Sequence, residues 1–149
     1  MTVYWRLAVP ILSRFSRNAD GVAAIEFAMI APLFICMLFS MIGWGIYLGA
    51  CHSIQQIAAD TARSAVAGLS SAERMTLATS HVTSGATTGY ALIDQAKLTV
   101  QVADDTAVAN QFTVKLTYDA SDLPVWNLMT FAMPSPMIVR STTIRIGGL

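Results

Sequence analysis

The chain has 149 residues, of which 54% are hydrophobic and only 12% charged, with a formal net charge of zero at pH 7. Ordinary soluble domains are about one quarter charged, so a mean hydropathy of +0.55 predicts a membrane segment wherever the apolar residues cluster. Balanced charge supplies no basic field to recruit nucleic acid and no acidic field to recruit basic partners.

Residues 1–21 form a basic leader, with Arg6, Arg14 and Arg17 against Asp20. From Val22 to Ala50 the only side chain expected to be charged is Glu26. The stretch Phe27–Ala50 predicts a helix of roughly 36 Å, enough to cross a hydrocarbon core of about 30 Å. Pro32, near its start, removes one backbone hydrogen bond, which membrane helices tolerate. Gly43, Gly45 and Gly49 suit close helix packing, and Trp44 and Tyr47 suit anchoring at the membrane–water interface. More arginines precede the span than follow it closely, so the positive-inside rule keeps the N-terminus in the cytoplasm and exports the C-terminal part. Cys36 and Cys51 lie fifteen positions apart, about 22 Å along one helix, which is too far for a disulfide within the chain.

Residues 51–68, "CHSIQQIAADTARSAVAG", repeat apolar or small residues at helical spacing: Ile54, Ile57, Ala58, Thr61, Ala62, Ala65 and Val66. Nothing separates them from the span, so one long helix is expected, stopped by Gly68. Asp60 and Arg63, three apart, read as a solvated surface pair. Ser70 and Glu73 form a capping-box pattern that predicts a short helix from about Ser71 to His81. "TSGATTG" (83–89) reads as a loop. "KLTVQV" (97–102) and "QFTVKLTY" (111–118) alternate apolar and polar residues as strands do, and Asp104-Asp105 reads as part of the hairpin turn between them. After the proline-punctuated "DLPVWNLM" and "MPSP", "MIVRSTTIRI" (137–146) is rich in β-branched residues and predicts a third strand. The fold class expected is α+β: a long N-terminal transmembrane helix continuing into the exported region, then a small antiparallel sheet domain. The exported half of the helix is the natural cover for the sheet's apolar face. In domain terms, the leader is 1–21, the transmembrane helix 22–50, its extension 51–68 and the small exported domain 69–149.

His52 and His81 are isolated in sequence, and no cysteine or carboxylate cluster has metal-ligand spacing, so no metal site is expected. No phosphate loop, nucleophile elbow or paired acid and base appears. No enzyme, catalytic residue or cofactor is expected.

Glu26 raises a physical question. A carboxylate in a spanning helix is costly and marks a paired or functional site, yet no Lys, Arg or His lies between Val22 and Ala50. A cut after Gly21 would free the amine of Val22, whose ordinary pKa is about 8, as a cation for Glu26. The order of basic leader, glycine and apolar helix with Glu at the fifth position after the glycine resembles a type IV prepilin cleavage site. Two stretches, "GVAAIEFAMIAPLF" (21–34) and "QQIAADTARSAVA" (55–67), resemble more narrowly the TadE-like proteins of the Tad, or Flp, tight-adherence pilus system. That resemblance implies a minor pilin or pseudopilin of the bacterial inner membrane. It would be cut between Gly21 and Val22 by a prepilin peptidase, with Glu26 setting helix register among subunits. Its implied partners are that peptidase, other pilin subunits and the inner-membrane Tad secretion machinery. The span lacks the further acid that many relatives carry where this chain reads "IGWGIY" (42–47), and the C-terminal part lacks the cysteine pairs of some relatives. Two other readings remain open: an uncleaved single-pass anchor with a periplasmic binding domain, and a lipoprotein acylated at Cys51 of "LGAC" (48–51).

Overall fold

The computed structural model describes residues 19–124, 126 and 133–147, with side chains from Gly21 onward. The expected basic leader, except its last three positions, lies outside the described residues, as does much of the expected irregular segment after Pro124. The chain divides into two compact units, residues 1–41 and 42–149.

Helix α1 spans Ala19–Ala65. Its part in the first unit has no buried residue among those described, and bulky side chains such as Phe27, Met29 and Leu33 project outward. The most apolar window has mean hydropathy 2.3 and none of it is buried. Exposed on every side and this apolar, such a helix suits lipid or other helices far better than water. Pro32 sits inside it. Ser40 donates its hydroxyl to the Cys36 carbonyl at 2.9 Å, a way for a short polar side chain to satisfy itself within an apolar helix.

In the second unit the expected helical stripe packs as anticipated. Ile54, Ile57, Ala58, Thr61, Ala62 and Ala65 are all buried, while Val66 is partly exposed. Ile54, Ile57 and the alanines join Phe112, Val114, Leu116 and Ile138 of the sheet in one core. Alanine at three of these helix positions leaves room for the larger sheet side chains, which is the interlocking that native packing density demands. Gln55 also reaches the sheet, donating to Thr142 Oγ1 at 3.3 Å.

The sheet has three antiparallel strands, β1 (Leu98–Asp104), β2 (Gln111–Asp119) and β3 (Met137–Arg145), in the order β1-β2-β3. Val102 faces Val114, and Leu116 faces Arg140. Along central β2, Phe112, Val114, Leu116 and Tyr118 point to the core and Thr113, Lys115 and Thr117 away from it, the period of two expected for a sheet with one wet face. The α+β architecture expected from the sequence is therefore the observed one.

Helix α2 spans Ser71–His81, with Ser70 as N-cap accepting from the Glu73 N–H at 3.2 Å. Glu73 reaches back one residue beyond the cap, accepting from the Leu69 N–H at 2.9 Å. The segment 83–89 differs from the loop expected. A wide helical turn, Val82–Ala86, continues from α2 before Gly85 breaks it with φ 115°, a conformation glycine adopts at little cost.

The stop of α1 also differs. The helix ends at Ala65, three residues before Gly68. The bond from the Gly68 N–H to the Ala65 carbonyl tightens its end, and Gly68 is absent from the glycines of positive φ. Its importance is spatial: a Cβ there would lie 2.7 Å from the Arg74 backbone nitrogen.

Candidate functional site

Gly21, Val22 and Glu26 all lie in the first two turns of α1 and are exposed. Val22 and Glu26 are four positions apart, so they share one helix face at about 6 Å of rise. Among the described residues no ion pair engages Glu26. Gly21 has a helical backbone, and a Cβ added there would meet nothing within 4 Å. Neither positive φ nor close packing requires glycine at this position, although glycine costs about 1 kcal/mol relative to alanine inside a helix. Phe27 is 72% exposed and Pro32 lies on the same bare stretch, whereas Ala50 is wholly buried beneath the sheet domain.

Burial on α1 begins in the second unit. Gly43 is buried, Ile46 and Tyr47 pack against the core, and Ala50 and Cys51 are inside it. Tyr47, expected as an interfacial anchor, stacks on Trp126 with ring centroids 5.6 Å apart and planes at 30°. Trp44 meets the same Tyr47 edge-on at 5.8 Å. The glycine face is uneven: a Cβ on Gly49 would lie 3.9 Å from Leu92 Cδ1, while Gly45 faces open space.

Two polar clusters in the second unit hold its turns. Arg74 donates to both oxygens of Asp104 at 2.8 Å and to the Gly68 carbonyl at 3.1 Å. Its guanidinium carbon lies 5.3 Å from the Phe112 ring centroid, in cation–π range. Asp104 is thus the last residue of β1 and a partner of Arg74, not the turn residue expected. Arg74 gave no warning in sequence, because its partner is thirty positions away. Asp105 does build the turn: its carboxylate accepts from the Ala107 and Val108 N–H groups and from the Gln111 amide. These bonds, the Ala107 N–H first, hold its pKa below the ordinary aspartate value. The Ser121 N–H does the same to Asp119, while the bond to Asp122 raises the pKa of Lys97. Asp60 and Arg63 pair on the exposed face of α1 as expected.

A cleft of about 350 Å3 beside Arg74 is lined by Gly68, Asp104, Asn110 and Gln111. Three guanidinium bonds already engage Arg74 there, so the cleft presents no uncommitted acid–base pair. Among the described residues no three His, Cys, Asp or Glu side chains gather where they could hold a metal ion.

No curated protein and no solved structure matches the chain. Residues 21–63 match the model of the family described as TadE-like protein, so the helix that carries Gly21, Val22 and Glu26 is a TadE-like segment.

Proposed function

We propose that this chain is a TadE-like minor pilin or pseudopilin that takes part in assembling a Tad-type pilus, with a structural role and no catalysis of its own. The observation that carries this reading is the coincidence of the family match over residues 21–63 with a bare apolar helix bearing one acid near its start. Family membership associates that segment with a pilus system, and the helix fits a membrane-anchored protein. The finer steps follow from physical chemistry.

Before assembly, residues 22–50 span the bacterial inner membrane once, with the N-terminus cytoplasmic and residues 51–149 in the periplasm. A prepilin peptidase cuts between Gly21 and Val22. A glycine that the fold does not need is well explained by a protease that does need it. Cleavage leaves a cationic amine at the positive end of a helix dipole, and Glu26 one turn away offsets that charge. Between staggered subunits the amine of one chain reaches Glu26 of the next, and the buried pair fixes register. Leaving the membrane strips lipid from the apolar helix, at about 25 cal/mol for each Å2 exposed to water. Neighbouring subunits must therefore replace lipid as it leaves, and their helices supply a matching apolar surface.

Intact-mass measurement and N-terminal sequencing of protein from its native membrane test the processing step. The expected mature chain begins at Val22. Retention of residues 1–21 would instead identify a plain single-pass anchor, and a lipid-blocked Cys51 a lipoprotein. The burial of Cys51 within α1 speaks against the last. Glu26→Gln should be processed but fail to enter filaments, and normal incorporation would defeat the register role.

A further inference from the structure

The second unit brings two separate loops down onto one short stretch of α1, Trp44–Gly49. Trp126 stacks on Tyr47, and Leu92 lies over Gly49. Trp44 flanks Tyr47 on the same helix. This stretch is where the exposed face of α1 changes character: Leu48 is its last large exposed apolar residue, and His52 is the first exposed polar one to follow it. We propose that the exported domain is seated on the lipid surface, with Leu92 and Trp126 at headgroup level beside Trp44 and Tyr47. The proposal rests on the membrane-span reading of α1 given above.

Length supports it. Trp44 to Gly49 is five positions, about 7.5 Å of helix, and each headgroup layer adds about 5–8 Å to the hydrocarbon core. If α1 crosses the surface here, whatever touches Tyr47 and Gly49 shares that depth. The chemistry agrees. Tryptophan and tyrosine favour the interface because an apolar ring carries one polar atom. Trp126 is only 7% exposed and its ring nitrogen lacks a hydrogen-bond acceptor among the described residues, while Leu92 is 38% exposed. The charges near Leu92 are already engaged within the domain: Asp94 accepts from the Ala96 N–H at 2.9 Å, and Lys97 pairs with Asp122. With these charges engaged, the exposed Leu92 beside them is better matched to the polar–apolar boundary of a lipid surface than to an acidic or basic protein surface.

The test uses the full chain in phosphatidylcholine vesicles whose acyl chains carry bromine either just below the headgroups or near the bilayer centre. Trp5→Phe with Trp44→Phe leaves Trp126 as the sole emitter, and Trp5→Phe with Trp126→Phe leaves Trp44. Both emitters should lose intensity, and more to the shallow bromines than to the deep ones. In a Cys36→Ser, Cys51→Ala background, Leu92→Cys bearing an environment-sensitive dye should be quenched by the same shallow bromines, with a blue-shifted emission. Quenching of Trp44 without any at Trp126 and the Leu92 dye would overturn the seat while leaving the span intact. Quenching at none of the three positions would overturn the span reading and the seat with it.

Discussion

At the scale of single residues, the turn between α1 and α2 depends on one atom that is missing. A Cβ at Gly68 would lie 2.7 Å from the Arg74 nitrogen and 2.8 Å from Arg74 Cγ. The backbone contact cannot yield by rotating a side chain, so Gly68→Ala should destabilise the second unit by about 1–3 kcal/mol, as overpacking does. Gly45→Ala, with nothing within 4 Å, is the control that should not lower the unfolding midpoint and should raise it, since glycine costs about 1 kcal/mol relative to alanine inside a helix. Urea titration followed by tryptophan emission distinguishes the two. Arg74 closes the same turn from the other side, linking the Gly68 carbonyl to Asp104. Its side chain is 9% exposed but that of Asp104 is 42% exposed, so water can rehydrate the carboxylate if Arg74 is lost. Arg74→Met should therefore cost about 1–3 kcal/mol, the range for lost charge-assisted bonds, rather than the full penalty of a buried ion pair. A double-mutant cycle with Asp104→Asn should return a clear coupling energy, and additive effects would show that the pair does not act together.

At the scale of elements, caps and turns carry local stability that pH can read. Three hydrogen bonds depend on the ionised carboxylate of Asp105, and its pKa is lowered by folding. A lowered pKa means that its stabilisation is complete above the ordinary aspartate value of about 3.9 and is lost as pH falls through the lower folded value. Amide exchange at Ala107 and Val108 should accelerate over that acid window, and Asp105→Ala should abolish the pH step. Ser70→Ala should cost α2 about 1 kcal/mol, the usual worth of an N-cap, seen as lost exchange protection in its first turn. What sequence could say about these elements follows from the range of the interactions involved. The capping box, the helical stripe and the alternating strands are local periodicities, so α2, the buried face of α1 and all three strands were legible. The end of α1 was not, because a glycine near a helix end predicts a left-handed cap, while here it admits the backbone of α2. Asp104 was misread for the same reason: Arg74, its partner, is distant in sequence. At the candidate site, the placement of Val22 and Glu26 one turn apart on one helix was legible from spacing, whereas Gly21, read as the end of the leader, lies inside the helix. That Tyr47 and Gly49 lie under the domain was not, since Trp126 and Leu92 reach them from far along the chain.

At the scale of the whole molecule, the two units draw stability from different solvents. The first has no buried side chain among its described residues, so its apolar surface is satisfied only by lipid or by other helices. The second has its own core, in which Leu116 and Ala62 are fully buried. The two should consequently fail separately. Leu116→Ala removes buried methyl groups at about 2–5 kcal/mol, a large part of the stability of a domain this small. Residues beyond α1 should then become sensitive to protease, while the chain stays with the membrane after alkaline extraction. Ile35→Arg places a charge near the middle of the span at about 2.5–3.5 kcal/mol on insertion scales. It should lower the membrane-bound fraction and leave the protease resistance of the sheet, in protein recovered in detergent, unchanged. Loss of membrane retention in the Leu116 variant would mean that the sheet domain helps hold the helix in place, and the separation of the two units would have to be abandoned.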